Sequence, residues 1–341
     1  MRQALTPERE LLNADLGPID KILVILAPPR SFSWRFCAAL GQHPQMYGLP
    51  EMHLFTAQTV GEWWNMCGAA TFNMSDGTLR ALAEVLFGGQ TEETIQSASG
   101  WLRRRTHLTT AMIFEVLAEK LHPRILVDQS PSIVYSIGAM QLAYRMFPEA
   151  RFLHLVRHPR SHCNSVNEAI QALRTSGPIP EGHWLLELAK YTQLLPSEFG
   201  NRDSLDLNPQ RGWFALNTNI CNFLESVPKN RQIRIRAEEF LTAADKTLCR
   251  IAHWMSLSTD AEAIAEMMHP ERSRYITPGP PNARFGNDTL YLNTASLSKS
   301  TDKSGPLTKG RKVGTKRGSG GALLPEVVDL ARRLGYRSNL E

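Results

Sequence analysis

The chain has 341 residues, with 38 lysines and arginines against 33 aspartates and glutamates (net charge +5), 42% hydrophobic and 21% charged residues. That balance is ordinary for a folded globular chain, long enough for one large α/β core or two smaller ones, and it excludes a disordered polyelectrolyte. No apolar stretch approaches a membrane span, and an early segment holding Glu8, Glu10 and Asp15 lacks the basic start and apolar middle of a secretory leader, so a cytoplasmic protein is expected.

The first predicted element is the apolar run Ile22 to Ala27, stopped by Pro28-Pro29 and followed by Arg30-Ser31-Phe32-Ser33-Trp34. A short, wholly apolar run that opens into a turn and an amphipathic segment predicts a buried parallel strand feeding a helix. The helix is expected over Ser33 to Gln42, capped by Ser31 or Ser33 and ended by His43-Pro44. Its free N–H groups at the strand's end make an anion site. Residues 51 to 122 read as mostly helical, with Leu79, Leu82, Ala83 and Leu86, then Ile113, Val116, Leu117 and Leu121, each spaced for one face. Trp63, Trp64, Phe72, Phe87 and Trp101 in this block suit plain core, or a helical insertion covering a ligand.

A second strand, Ile125 to Val127, ends in Asp128-Gln129-Ser130-Pro131, and a helical stripe follows through Ile133, Ile137, Met140, Tyr144 and Phe147. The strand Phe152 to Val156 then runs into Arg157-His158-Pro159-Arg160, with Ser165 eight residues after Arg157 and a helix from Arg160 to Leu173. Trp213, Leu216, Ile220, Phe223 and Leu224 mark another helix, Ile233 to Ile235 a strand, and Ala243 to Met255 a further helix. From His269 to Gly321 periodicity vanishes, and Pro325 to Leu334 closes the chain as an amphipathic helix. Alternating strands and helices predict a three-layer α/β fold, a P-loop-like, mostly parallel sheet flanked by helices. Ligands of such sheets bind at the strands' carboxyl ends, where both arginine-serine loops fall. Two such loops suit one ligand carrying two separate phosphate-like groups.

Gly305 to Gly321 holds Lys309, Arg311, Lys312, Lys316 and Arg317 and no acid, so the whole positive surplus sits in one glycine-rich stretch. It reads either as a solvated loop or as a clamp on a polyanion; nucleic acid is disfavoured because the stretch has no aromatic residue to stack on bases. The five cysteines, at 37, 67, 163, 221 and 249, are odd in number and scattered, which predicts buried thiols rather than disulfides or a metal knuckle. His154, His158 and His162 fall four apart, but a strand, a loop and Pro159 interrupt the helix such a metal site requires.

No Gly-x-x-x-x-Gly-Lys-Ser/Thr occurs, which counts against an ordinary ATPase or kinase, and only Asp128 stands where a magnesium-holding acid is expected. An arginine-led loop neutralises phosphate charge without a metal. Together these residues resemble the sulfotransferases that use 3′-phosphoadenosine-5′-phosphosulfate (PAPS). The resemblance covers roughly residues 21 to 335. It runs through Pro148-Glu149-Ala150-Arg151-Phe152, Trp213 and Asn217, and Ile235-Arg236-Ala237-Glu238-Glu239-Phe240. It continues into Pro281-Asn282-Ala283-Arg284-Phe285-Gly286-Asn287-Asp288, similar to bacterial members acting on natural products or carrier-bound chains.

The resemblance implies that Arg30, Ser31, Phe32, Ser33 and Trp34 hold the 5′-phosphosulfate, that Arg157, with Arg160 and Ser165, holds the 3′-phosphate, and that Arg311 and Lys312 cover the nucleotide. It implies no metal, nucleic acid or membrane, and a single domain over 1–341 in which 51–122 is an acceptor-binding insertion or lid and 269–321 a basic covering loop. Leu49-Pro50-Glu51-Met52-His53 resembles the position of the family's catalytic base: Glu51 first, His53 second. Two departures stand out: Gln129 where many relatives carry lysine, and Phe32 where glycine is usual, which argues against a positive φ there. A metal-requiring kinase or other nucleotide-dependent transferase, and a catalytically silent nucleotide-binding protein, share the same strand-loop-helix plan.

Overall fold

The structure, a computed structural model, describes residues 22–68, 74–176, 208–287 and 322–340. Five strands, β1 (Ile22–Leu26), β2 (Met46–Gly48), β3 (Ile125–Asp128), β4 (Arg151–Val156) and β5 (Gln232–Arg236), form one sheet in the order β2-β3-β1-β4-β5. Every pairing is parallel, with Val24 opposite Asp128 on one side of β1 and Leu26 opposite His154 on the other. The chain thus builds to one side of β1, then to the other, leaving a crevice at the carboxyl ends of β3, β1 and β4.

β1 is continuous apolar sequence because it is central and covered on both faces. Its side chains alternate: Ile22, Val24 and Leu26 join one core, Leu23 and Ile25 the other. Helix α1 (Ser33–Leu40) packs in the second core, through Phe36, Cys37, Ala39 and Leu40. It ends two residues earlier than expected. The first core carries α2 (Asp76–Phe87), α3 (Glu92–Arg103), α4 (Thr110–Leu121), α5 (Ile137–Met146) and the inner face of the later helix Pro209–Leu224. Trp63 and Trp101 lie within it, so these two aromatics of the 51–122 block are core.

Helix α6 (Pro159–Ser176) follows β4, and α7 (Pro209–Leu224) packs beside it. Beyond β5, α8 (Ala244–Trp254) adds Leu248 and Ile251 to the second core. The closing helix α9 (Pro325–Arg333) sets Val327, Leu330 and Ala331 against Val156 and Trp213. Strand β2 was not expected. Three residues at a sheet edge are too few to show a period of two.

Candidate active site

The loop after β1 departs from expectation. Arg30 and Phe32 both adopt positive φ, 70° and 67°, and Phe32, not a serine, is the N-cap of α1, with no side-chain cap bond. A left-handed non-glycine residue costs about 1–3 kcal/mol unless its surroundings hold it. Here the Phe32 ring lies under the Arg157 guanidinium, 4.3 Å from its centroid, and its carbonyl accepts from Phe36 N–H at 3.0 Å. The result is a helix start with no capping side chain and no acid in its first turn. Ser31 adds a buried hydroxyl, 1% exposed, that has no hydrogen-bond partner among the described residues. Uncapped N–H groups beside an orphaned hydroxyl form a cradle suited to an oxyanion. The Trp34 side chain packs with Ala38 and Ile276, leaving its backbone as its contribution to that cradle.

The loop after β4 meets this one directly. Arg157 donates to the Arg30 carbonyl at 2.6 Å, and Arg30 Nε donates to Ser165 Oγ at 3.3 Å. His162 supports the junction from α6, its Nε2 2.9 Å from the Pro29 carbonyl. Burial, then the Arg157 charge, pushes the His162 imidazole down to about 3, so it is a neutral donor there. Trp213 Nε1 donates to the Arg157 carbonyl at 2.8 Å, and Glu238 accepts from His158 N–H at 2.9 Å and from the Tyr336 hydroxyl at 2.8 Å. Arg160 Nε donates to the Asn339 carbonyl at 3.0 Å. The three histidines spaced four apart are used separately: His154 with Asn217, His158 with the Ser338 carbonyl, His162 with Pro29. Among the described residues no three His, Cys, Asp or Glu side chains cluster as metal ligands.

The opposite wall carries Glu51 and His53. Ser130, just past β3, accepts from the backbone N–H groups of Met52 and His53, both at 2.9 Å, and donates to Asp128 Oδ1 at 2.9 Å. His53, at φ 55°, sets its Nδ1 2.8 Å from Ser132 Oγ and its Nε2 3.7 Å from Glu51 Oε2. The Glu51 side chain, 22% exposed against 9% for His53, is the outer member of the pair. Glu51 N–H donates to the Gly286 carbonyl at 2.8 Å. Gly77 lies so close that a Cβ there would stand 2.0 Å from the Glu51 carbonyl oxygen, and Gly286, at φ 100°, presses on Gly77 in turn. Buried Arg80 donates to the Phe285 and Thr277 carbonyls, tying the segment 277–286 to α2.

Gln129 Nε2 donates to Asn287 Oδ1 at 3.0 Å, while Asn287 Nδ2 donates to the Tyr275 carbonyl. Because a carbonyl only accepts, this chain fixes the amide so that Gln129 Oε1 is the atom without a partner among the described residues. It offers acceptance, where a lysine would offer positive charge.

Asp128 is wholly buried, so it is a positioning group and not an exposed magnesium ligand. Burial raises its carboxyl to about 6, opposed by the bonds from Ser130. With a folded value above the unfolded one, the folded chain holds the extra proton between about pH 4 and 6, and stability from this group is lost as pH rises through that window. The wild-type protein should therefore lose up to about 3 kcal/mol relative to Asp128→Asn between pH 4 and 7. Urea unfolding of both proteins across that range checks it; a constant offset would contradict it.

Beside this wall an open cleft of about 450 Å³ runs between residues 55–66 and α5, with Ser132 in its lining. Arg311 and Lys312 lie outside the described residues. Three of the five cysteines (37, 67 and 163) are buried, two are half-buried, and none is in a disulfide; burial pushes the Cys163 thiol up to about 12, which leaves it inert. The spacing of Arg157 and Ser165 was readable in advance. The supporting roles of Ser130, Ser132 and His162 were not, and the one local sign was serines at alternate positions after an aspartate at a strand's end.

A parallel sheet with two arginine-serine loops in contact at its switch point and a carboxylate-imidazole pair alongside has the plan of a P-loop-like α/β transferase. The chain belongs to the Sulfotransferase family, whose model matches residues 23–261; it is an enzyme, a sulfotransferase. Among solved structures it is similar to the sulfotransferase domain from the curacin biosynthetic pathway, with TM-score 0.70 and 20% identity over 94% of this chain and 99% of that one. It is also similar to the sulfotransferase domain of the Synechococcus PCC 7002 olefin synthase, with TM-score 0.64 and 21% identity over 95% and 97%. Comparison with curated proteins finds no match. Among the described residues no helix is long and apolar enough to cross a membrane.

Proposed function

We propose that the protein moves the sulfuryl group of PAPS to a hydroxyl of a small-molecule or carrier-bound acceptor by in-line attack. The observation that carries this is the junction of Arg30, Arg157 and Ser165 beside the uncapped start of α1, where Ser31 keeps an unpartnered hydroxyl. Two basic subsites in contact fit one nucleotide with phosphate groups at both its 5′ and 3′ positions. PAPS supplies the activated sulfuryl group and a 5′-phosphate leaving group. Arg30, Ser31, Ser33 and the first N–H groups of α1 meet the charge that grows on that leaving phosphate. Arg157 and Ser165 hold the 3′-phosphate. Glu51, the more accessible of the pair, removes the acceptor proton, and His53 holds the carboxylate in place. The segment 51–122 supplies the acceptor side, and Arg311 and Lys312 close over the nucleotide on the strength of the sequence alone.

Neither subsite calls on a divalent ion, since arginines provide the neutralising charge. Transfer from radiolabelled PAPS to a panel of hydroxylated acceptors should continue after EDTA treatment with little loss. Abolition by EDTA and restoration by magnesium would instead mark a metal-dependent nucleotide transferase.

A further inference from the structure

We infer that the cleft beside Ser132 takes acceptors that are apolar along their length and carry an anionic group at the end remote from the reacting hydroxyl. The inference rests on the reading of Glu51 and His53 as the acceptor-activating pair. The cleft meets that pair through Ser132, which lines it and sits 2.8 Å from His53 Nδ1. Its walls are mainly apolar, with Phe55, Ala57, Tyr135, Ala139 and Leu142 in the lining beside the polar Thr56, Gln58 and Ser136.

Met66, also in the lining, is 49% exposed and is the one exposed large apolar side chain among the described residues. A flexible thioether left in water in the lining of an open cleft is suited to cover an apolar ligand of variable shape. Two charged side chains stand in the same lining, Glu62 and Arg145. The Glu62 carboxylate is already occupied, accepting from the N–H groups of Gln58 at 3.0 Å and Thr59 at 3.1 Å, where it completes a capping box. Arg145 makes no hydrogen bond or ion pair among the described residues. Its place in the last turn of α5 suits a cation electrostatically but satisfies none of its five N–H donors. The planar guanidinium is matched by a carboxylate or phosphate, bound through paired hydrogen bonds. An acceptor extended along the cleft then has its hydroxyl by Glu51, its apolar body on Leu142 and Met66, and its negative end on Arg145.

The probes are ω-hydroxyalkanoates of graded chain length and their methyl esters, titrated by calorimetry into the full chain with and without adenosine 3′,5′-bisphosphate. The best acid should bind at least about tenfold more tightly than its ester, the difference of one charge-assisted contact. Arg145→Glu should erase or reverse that preference and favour the matching ω-hydroxyalkylamine, with bisphosphate affinity unchanged as proof of folding. Met66→Ser should weaken acids and esters alike. Equal affinity for acid and ester at every length, or a preference that survives Arg145→Glu, overturns the inference. The titration without nucleotide reads the cleft alone, so a protein that bound the acids selectively but not the bisphosphate would sink the cofactor reading and leave this one standing.

Discussion

Glu51→Gln lowers turnover about a hundredfold or more while affinity for adenosine 3′,5′-bisphosphate stays nearly unchanged. The amide keeps the size of the carboxylate, and the backbone bond from Glu51 N–H to Gly286 does not involve the side chain. Only the proton acceptor is lost. Steady-state rates on a verified acceptor, paired with calorimetry, separate this from a folding defect. His53→Ala is the companion measurement, since its imidazole lies 3.7 Å from the same carboxylate oxygen. A modest loss there assigns His53 to positioning, whereas a loss exceeding that of Glu51→Gln would move the base to His53. Full activity in both would remove the pair from the chemistry.

Arg30→Ala lowers both affinity and rate. The residue stands at the junction, its Nε on Ser165 and its carbonyl receiving Arg157. The backbone carbonyl survives the substitution, so Arg157 keeps that partner and the loop keeps one of its ties. The lost guanidinium removes a charge-assisted contact of about 1.5–3 kcal/mol, or a ten- to hundredfold weaker nucleotide. Because charge on the 5′-phosphate grows as the sulfuryl group departs, turnover should fall by a further factor of about 100–1000. Affinity lost with turnover intact would place Arg30 on the nucleotide but away from the leaving group.

The parts of this fold legible in the sequence are those decided by local pattern. β1 could be read because a strand covered on both faces must be continuously apolar, and its end because two prolines follow. The Arg157 to Ser165 spacing could be read because both sit on one strand-to-helix transition. What could not be read was decided by tertiary contact. Phe32 holds a conformation its own preference opposes because Arg157, from a distant loop, lies over its ring. The serines expected to cap α1 do not, which leaves its N–H groups open to a ligand. Likewise Glu51 and His53 are placed by Ser130, Ser132 and Gly286, far along the chain, and no periodicity encodes such a meeting. Strand β2 escaped for the opposite reason, being too short to carry a pattern.

The two-subsite reading of the crevice is tested most directly by one calorimetric comparison, adenosine 3′,5′-bisphosphate against adenosine 5′-monophosphate on the wild-type chain. Contacts from Arg157 and Ser165 to the added phosphate, at about 1.5–3 kcal/mol for each charge-assisted bond, predict that the bisphosphate binds at least about tenfold more tightly. Equal affinity for the two nucleotides would contradict the account.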